Sequence, residues 1–153
     1  MSTPWSARLT ELGIELPAVA TPVAAYVPAV RTGSLVYTSG QLPFVDGALA
    51  ATGKVGGELA PEEAKRHART CALNALAAVH ALVGIDAVVR VVKVVGFVAS
   101  AEGFTGQPAV VNGASELFGE VFGEAGQHAR SAVGVAELPL SAPVEVELVV
   151  EVR

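Results

Sequence analysis

The sequence predicts an α+β domain with the element order ββ–α–β–α–ββ, two helices lying on one face of a mixed sheet. Three observations carry this. Two segments with helical spacing of apolar residues open at Pro61 and Pro108. A valine-rich run, Val88 to Val98, separates them. Two further extended segments lie at each end of the chain. Apolar residues make up 52% of the 153 positions and charged ones only 16%, against roughly 25% charge in ordinary soluble domains. Such a chain has too little charge to cover a monomer, so part of its surface is expected to be buried against another subunit. Disorder is excluded, because it needs low hydrophobicity and high net charge.

Residues 1–21 are expected to be an N-terminal extension of a single domain spanning 1–153. Pro17 and Pro22 fit a connector, and the stretch between Pro22 and Pro28 is admissible only as an edge strand or extended segment. Arg31-Thr32-Gly33-Ser34 reads as a turn and Leu35 to Ser39 as the returning strand of a hairpin. Gly47 to Gly57 is a loop with four glycines and room for one short strand. Pro61 suits the first helical position, and Glu62 and Glu63 suit the positive end of the helix dipole. Apolar residues at 64, 68, 71, 72, 75, 79 and 82 share one face, and Gly84 is the stop. Val88 to Val98 holds seven valines and a phenylalanine. Arg90 and Lys93 have opposite parity there, which predicts a strand apolar on both sides and covered on both. After Pro108, Val110, Val111, Ala114, Leu117, Phe118, Val121 and Phe122 form a buried face, with Asn112, Ser115, Glu116 and Gly119 opposite. Gly123 and Gly126 end that helix. Ser131 to Ala136 and Val144 to Val152 are the closing strands, the last with Val144, Val146, Leu148, Val150 and Val152 on one face.

Several function classes are disfavoured. The net charge is −5. The densest basic cluster, Lys65-Arg66-His67 with Arg69, is offset by Glu62 and Glu63, so phosphate neutralisation is not expected and no nucleic-acid partner is implied. Met1 to Thr10 has no apolar core of a secretory signal. The longest charge-free stretch, Thr70 to Ile85, is short for a membrane span. One cysteine fits a reducing compartment, so a cytoplasmic location is expected. His67, His80 and His128 do not pair at metal-ligand spacing and Cys71 has no partner cysteine, so no metal site is expected. His67 and His80 read as helix-surface residues and Cys71 as an inert core thiol. The glycine-rich loop lacks the endings of a phosphate or dinucleotide loop.

Polar residues at the ends of apolar strands remain: Ser39-Gly40-Gln41, Arg130-Ser131 and Glu145. Spacing alone favours plain roles, with Ser39 capping a turn, Arg130 a surface cation and Glu145 facing water. Only the apolar surroundings of Arg130 and Glu145 point further.

At these residues the chain resembles the YjgF/RidA family. Gly33 through Pro43, GSLVYTSGQLP, is similar to its first signature. His128 to Glu147, HARSAVGVAELPLSAPVEVE, is similar to its C-terminal one, with Ala-Arg-Ser, Leu138-Pro139 and Val-Glu-Val at its core. The helix after Pro61 and the pair Val111-Asn112 fall at matching places, so the resemblance runs from about Pro22 to Val152. It implies a chorismate-mutase-like fold and a homotrimer with sheets facing inward and sites in the clefts between subunits. The implied chemistry is hydrolysis of reactive 2-imino or 2-enamino acids to 2-keto acids and ammonia, with no cofactor. Some members are described instead as translation inhibitors or ribonucleases. By position, Arg130 matches the arginine that holds the substrate carboxylate and Glu145 the glutamate that positions the attacking water. Tyr26, Ser39, Gly40, Asn112 and Ala132 match residues of the pocket. Two departures stand out. Many deaminating members carry cysteine where this chain has Ala132 and glutamate where it has Gly134, which predicts a larger, less acidic pocket if either position faces the cleft. The segment Ser100 to Gln107 also looks longer than in the simplest members. Two other readings stay open: a non-catalytic trimer that binds small carboxylates through the same Arg130, and a ribonuclease, against which the acidic balance argues.

Overall fold

A computed structural model describes residues 2–19 and 25–153. The order is α1 (Trp5–Glu11), β1 (Ala29–Thr32), β2 (Leu35–Thr38), β3 (Phe44–Val45), β4 (Ala48–Leu49), α2 (Pro61–Val83), β5 (Val88–Ala99), α3 (Gln107–Phe122), β6 (Ala129–Val135) and β7 (Val144–Val152). The main sheet runs β1-β2-β7-β5-β6, and β3 and β4 form a separate two-stranded hairpin. Among the strands of the main sheet in the described residues, β5 and β6 alone pair in parallel, joined by the α3 crossover that a parallel connection requires. The last strand, β7, inserts between β2 and β5 and pairs antiparallel with both.

The hairpin β1–β2 turns on Gly33 and Ser34, with Thr32 opposite Leu35. Gly33 supplies the positive φ of 56° that such a tight turn needs. Arg31 and Thr32 are therefore strand, not turn. The first strand begins after Pro28, because proline cannot donate to a ladder. The expectation for Pro17–Pro28 falls partly on residues 20–24, outside the described residues.

The core lies between the sheet and the paired helices. α2 turns Ala64, Ala68, Cys71, Ala72, Ala75, Leu76 and Val79 inward, all fully buried, and α3 contributes Val110, Val111, Ala114, Leu117 and Phe118. Leu82, counted on the buried face from its spacing, is exposed in the last turn of α2. The alanine-rich face of α2 lets the helix approach closely. Where α2 and α3 cross, a Cβ on Gly113 would collide with the Lys65 carbonyl.

A further expectation is corrected. The strand β5 is not apolar on both faces. Register shifts between Val88 and Arg90 and between Val91 and Lys93 each insert one residue opposite β7. These bulges restore parity. Val88, Val91 and Val94 all face the helices, while Arg90 and Lys93, opposite Glu151 and Val149, both face outward. The helix α1 lies within residues 1–21, the stretch expected to be an N-terminal extension. Trp5 stacks edge-on against Phe122 at 5.1 Å and donates its indole N–H to the Val88 carbonyl at 2.7 Å. Leu9 is buried, and both Asp86 carboxylate oxygens accept from Ser6. These contacts hold Asp86 below the usual carboxylate range through the backbone and side-chain bonds from Ser6. No helix among the described residues is long and apolar enough to cross a membrane.

Among the described residues, no helix covers the outer face of the sheet. Val30, Tyr37 and Val133 are exposed there, with Val95, Phe97 and Val149 half-buried among Glu145, Glu147, Glu151, Arg90 and Lys93.

Candidate functional site

The polar residues singled out in the sequence gather into two groups. The first sits where β6 starts beside α3. Arg130 pairs with Val94 in the parallel ladder, so it shares the helix-facing side of the sheet. Its guanidinium reaches α3, where Nη1 donates to Asn112 Oδ1 at 2.7 Å and to Ser115 Oγ at 3.3 Å. Asn112 and Ser115 lie one turn apart on the same helical stripe. Both hydrogens of Nη1 are thereby used. Among the described residues, Nε and Nη2 have no hydrogen-bond partner, so the side of the guanidinium that forms a two-point fork remains open.

Ser115 and His128 are functional candidates that sequence reasoning passed over. Ser115 was placed on the solvent side of its helix, where it is in fact half-buried, and His128 was weighed only as a metal ligand. The readable signals were the three-residue spacing of Asn112 and Ser115 and the shared parity of His128 and Arg130. His128 Nε2 lies 2.9 Å from Ser115 Oγ, and Nδ1 lies 2.6 Å from the Gly126 carbonyl.

The second group lies at the end of β2. Ser39 donates its hydroxyl to the Val27 carbonyl at 2.6 Å and its backbone N–H to Pro28 at 2.8 Å. The hydroxyl hydrogen is thus committed to pinning residues 27–28, and Tyr26, largely exposed, sits beside them. Gln41 exchanges backbone bonds with Val146. That ladder brings Gly40 against the side chain of Glu145, so close that a Cβ on Gly40 would collide with its carboxylate. Glu145 is half-buried. Burial raises its carboxyl above the usual range, and the neighbouring Glu147 charge raises it further.

One protomer does not bring the two groups together. Arg130 is opposite Val94 and Glu145 is opposite Phe97, with β5 between their strands. Three residues along the strand and two strand spacings separate them by about 14 Å, on opposite faces of the sheet. A cavity of about 320 Å³ opens near Gln41, Phe44, Asp46 and Asn74, but Arg130, Asn112 and Glu145 do not line it.

The two departures from the family pattern also resolve. Ala132 shares the helix-facing side with Arg130 and packs against the core. Gly134 does not open a pocket. A Cβ there would lie 2.7 Å from Gln107 Nε2 and 2.9 Å from Ser100 Oγ. Gln107 in turn donates to Ser100 Oγ and to the Phe104 carbonyl. The segment Ser100–Gln107 therefore fills the space that the missing side chain leaves, and the larger pocket expected at Gly134 is not formed.

Among the described residues no group of three His, Cys, Asp or Glu converges as a metal site. Cys71 is fully buried, and burial pushes its thiol well above the ordinary range, as expected for an inert core residue. His80 is exposed and its Nδ1 accepts from the Ile85 N–H after α2. His67 is only partly a surface residue, since its Nε2 is buried 3.8 Å from Glu63.

The five-stranded mixed sheet with paired helices on one face, and an arginine on β6 bonded to side chains of α3, define a small α+β protein of chorismate-mutase-like fold. Residues 17–152 match the family model described as Endoribonuclease L-PSP. Protein TCP17 of Trypanosoma cruzi is 48% identical over 150 residues, 97% of this chain and 94% of that protein. A crystal structure of a protein of unknown function from Agrobacterium tumefaciens superposes with a TM-score of 0.89 at 46% identity, covering 97% of this chain and 92% of that one. RidA from an Antarctic Psychrobacter superposes with a TM-score of 0.63 at 31% identity, over 88% and 94%. The chain belongs to the YjgF/RidA family.

Proposed function

We propose that this protein hydrolyses reactive 2-imino or 2-enamino acids to 2-keto acids and ammonia, in clefts between the subunits of a homotrimer. The observation that carries the reading is the half-anchored guanidinium of Arg130. Nη1 is tied to Asn112 and Ser115, while the Nε and Nη2 edge is open. A carboxylate fits that edge with two parallel charge-assisted bonds, which a lysine could not reproduce.

The reaction asks little of the protein. Water adds to the C=N carbon, giving one proton to a base while the imine nitrogen takes one up. The tetrahedral carbinolamine then passes its hydroxyl proton to the amine nitrogen, the C–N bond breaks, and ammonia leaves with the keto acid. Glu145 is the base that holds the water. A carboxyl with a raised proton affinity is better matched to taking and returning a proton near neutral pH. Gly40, Ser39 and Tyr26 lie on its side of the cleft, and Asn112 lies with Arg130 on the other. Orientation by two fixed groups is sufficient for a reaction that already proceeds in water. No cofactor enters the scheme.

The separation of Arg130 from Glu145 supports a site completed by a second copy. The uncovered sheet face, with Val30, Tyr37, Phe97 and Val133 among alternating charges, supports a homotrimer whose sheets face inward. The family's description as an endoribonuclease carries over less well, because the chain is acidic overall. A cytoplasmic setting fits the lone buried cysteine.

The test generates imino acids in situ with an amino-acid oxidase and times keto-acid release with and without the protein. Acceleration is expected. A protein that binds keto acids but gives no acceleration with any imine is a carboxylate-binding trimer instead. Light scattering coupled to size exclusion is expected to give three times the chain mass, and a monomer at micromolar concentration would refute the cleft.

A further inference from the structure

The geometry points to His128 as a positioning residue that acts through Ser115 to fix the guanidinium of Arg130. The inference rests on the reading of Arg130 as the carboxylate anchor.

Donor and acceptor roles follow from the partners. The Gly126 carbonyl can only accept, so His128 Nδ1 carries the hydrogen in the 2.6 Å contact. In that tautomer Nε2 has only a lone pair, so the 2.9 Å contact is a bond from the Ser115 hydroxyl to the ring. The Ser115 oxygen then presents its lone pairs to Arg130, whose Nη1 donates to it at 3.3 Å. Asn112 takes the second Nη1 hydrogen at 2.7 Å. The direction of every bond is thereby set, with donation running from the arginine through Ser115 and His128 to the Gly126 carbonyl.

The base of this chain is rigid. The His128 ring stands edge-on to Phe118 at 5.9 Å and 87°, and Phe118 is fully buried in α3. The Gly126 backbone lies so close to α3 that a Cβ there would collide with the Phe118 carbonyl. Without His128, a serine inside a helix turns its hydroxyl toward the carbonyl four residues back, here Val111. The ring competes for that hydrogen and keeps the serine lone pairs turned to Arg130. Since the serine oxygen is occupied by the guanidinium, the pair ends on a cation and not on an open cleft. A nucleophilic role for Ser115 is correspondingly disfavoured.

The consequence is selectivity for charge. Fixing Nη1 aims the Nε–Nη2 edge outward, so its loss weakens ligands that use the fork and spares those that do not. The experiment titrates 2-ketobutyrate and its uncharged amide into the wild type and into Arg130→Ala, Ser115→Ala, Ser115→Thr, His128→Leu and the double variant Ser115→Ala/His128→Leu. NMR reports the His128 tautomer and the order of the Arg130 Nε–H. Expected are an Nδ1–H ring and about fivefold weaker 2-ketobutyrate in Ser115→Ala and in His128→Leu. The double variant should be no weaker than Ser115→Ala, since His128 works through Ser115. Ser115→Thr, which keeps the hydroxyl, should stay within about twofold, and amide binding should not change. An Nε2–H tautomer overturns the inference. So does unchanged 2-ketobutyrate affinity in both variants while Arg130→Ala loses it, and so does equal weakening of acid and amide. If Arg130→Ala itself leaves 2-ketobutyrate binding intact, the carboxylate reading fails. Arg130 Nε–H order then decides the positioning alone: a fall in His128→Leu supports it and no change overturns it.

Discussion

Gly40→Ala separates the position of Glu145 from the stability of the fold. A Cβ at residue 40 would lie 2.8 Å from the Glu145 carboxyl carbon and 3.2 Å from its Cγ. Ordinary contact between carbons is about 3.5–4.0 Å, so the carboxyl carbon must retreat by about 1 Å. The obstacle is the far end of a flexible side chain, and Gly40 does not have a positive φ. Backbone strain is therefore absent. Moving the carboxylate off its rotamer costs about 0.5–1.5 kcal/mol, a Tm change of a few degrees for a chain of this size. Catalysis is more sensitive. A displacement of about 1 Å of a reacting group costs on the order of a hundredfold in rate. The assay couples an amino-acid oxidase to keto-acid detection and is read with thermal unfolding of the same sample. Expected is a nearly unchanged Tm with kcat/KM down about a hundredfold. A folded variant with wild-type kcat/KM would refute the placement of the water by Glu145.

Arg130→Ala should leave the fold intact, because its bonds run only to half-buried and exposed side chains. Its activity should fall on the order of a hundredfold or more, the cost of a lost charged partner, and a folded, fully active variant would remove the carboxylate anchor. Gly113→Ala is the structural contrast. The atoms a Cβ would meet belong to the α2 backbone at Lys65, so the helices must part, at about 1–3 kcal/mol in urea denaturation; an unchanged midpoint would show that the crossing yields freely. Glu145 also predicts a pH trend. Burial, then Glu147, raises its folded-state carboxyl above the ordinary 4.5. The native state thus holds the proton longer than the unfolded state, and stability is lost as pH rises from the ordinary value through the raised one. Wild type should lose stability relative to Glu145→Gln as pH rises above the ordinary 4.5, and the opposite trend contradicts the burial. Incubation with EDTA should leave imine hydrolysis unchanged, since no ligand group converges among the described residues; activity lost and restored by a divalent ion would reverse that.

The helices and most strands were legible because their signals are local. Pro61 and Gly84 bracket α2, and its buried alanines recur at helical spacing. Val144 to Val152 alternates and is buried in strict alternation. The short α1 was missed, although Trp5, Leu9 and Leu12 stand at helical spacing, because so few residues show little periodicity by themselves. The parity of Arg90 and Lys93 misled for a different reason. A bulge is a relation between two strands, and nothing within β5 marks which residue β7 will skip. The candidate site residues were named by resemblance to separated motifs; Ser115 fell outside them, and His128, the first residue of the second motif, was considered only as a metal ligand.

The sequence by itself determined most element types, the mixed-sheet class, the acidic charge balance and the kinds of side chain available for chemistry. Those properties depend on neighbours within a few positions or on composition. Only the tertiary structure decided which groups meet. It placed His128 and Ser115 behind Arg130, set Glu145 against Gly40 on the other face of the sheet, turned Arg90 and Lys93 to the same side, and filled the space at Gly134 with Gln107 and Ser100. Each of these is a contact or a register between distinct segments. It is settled by close packing and by the need to pair buried polar groups, which a linear pattern does not record.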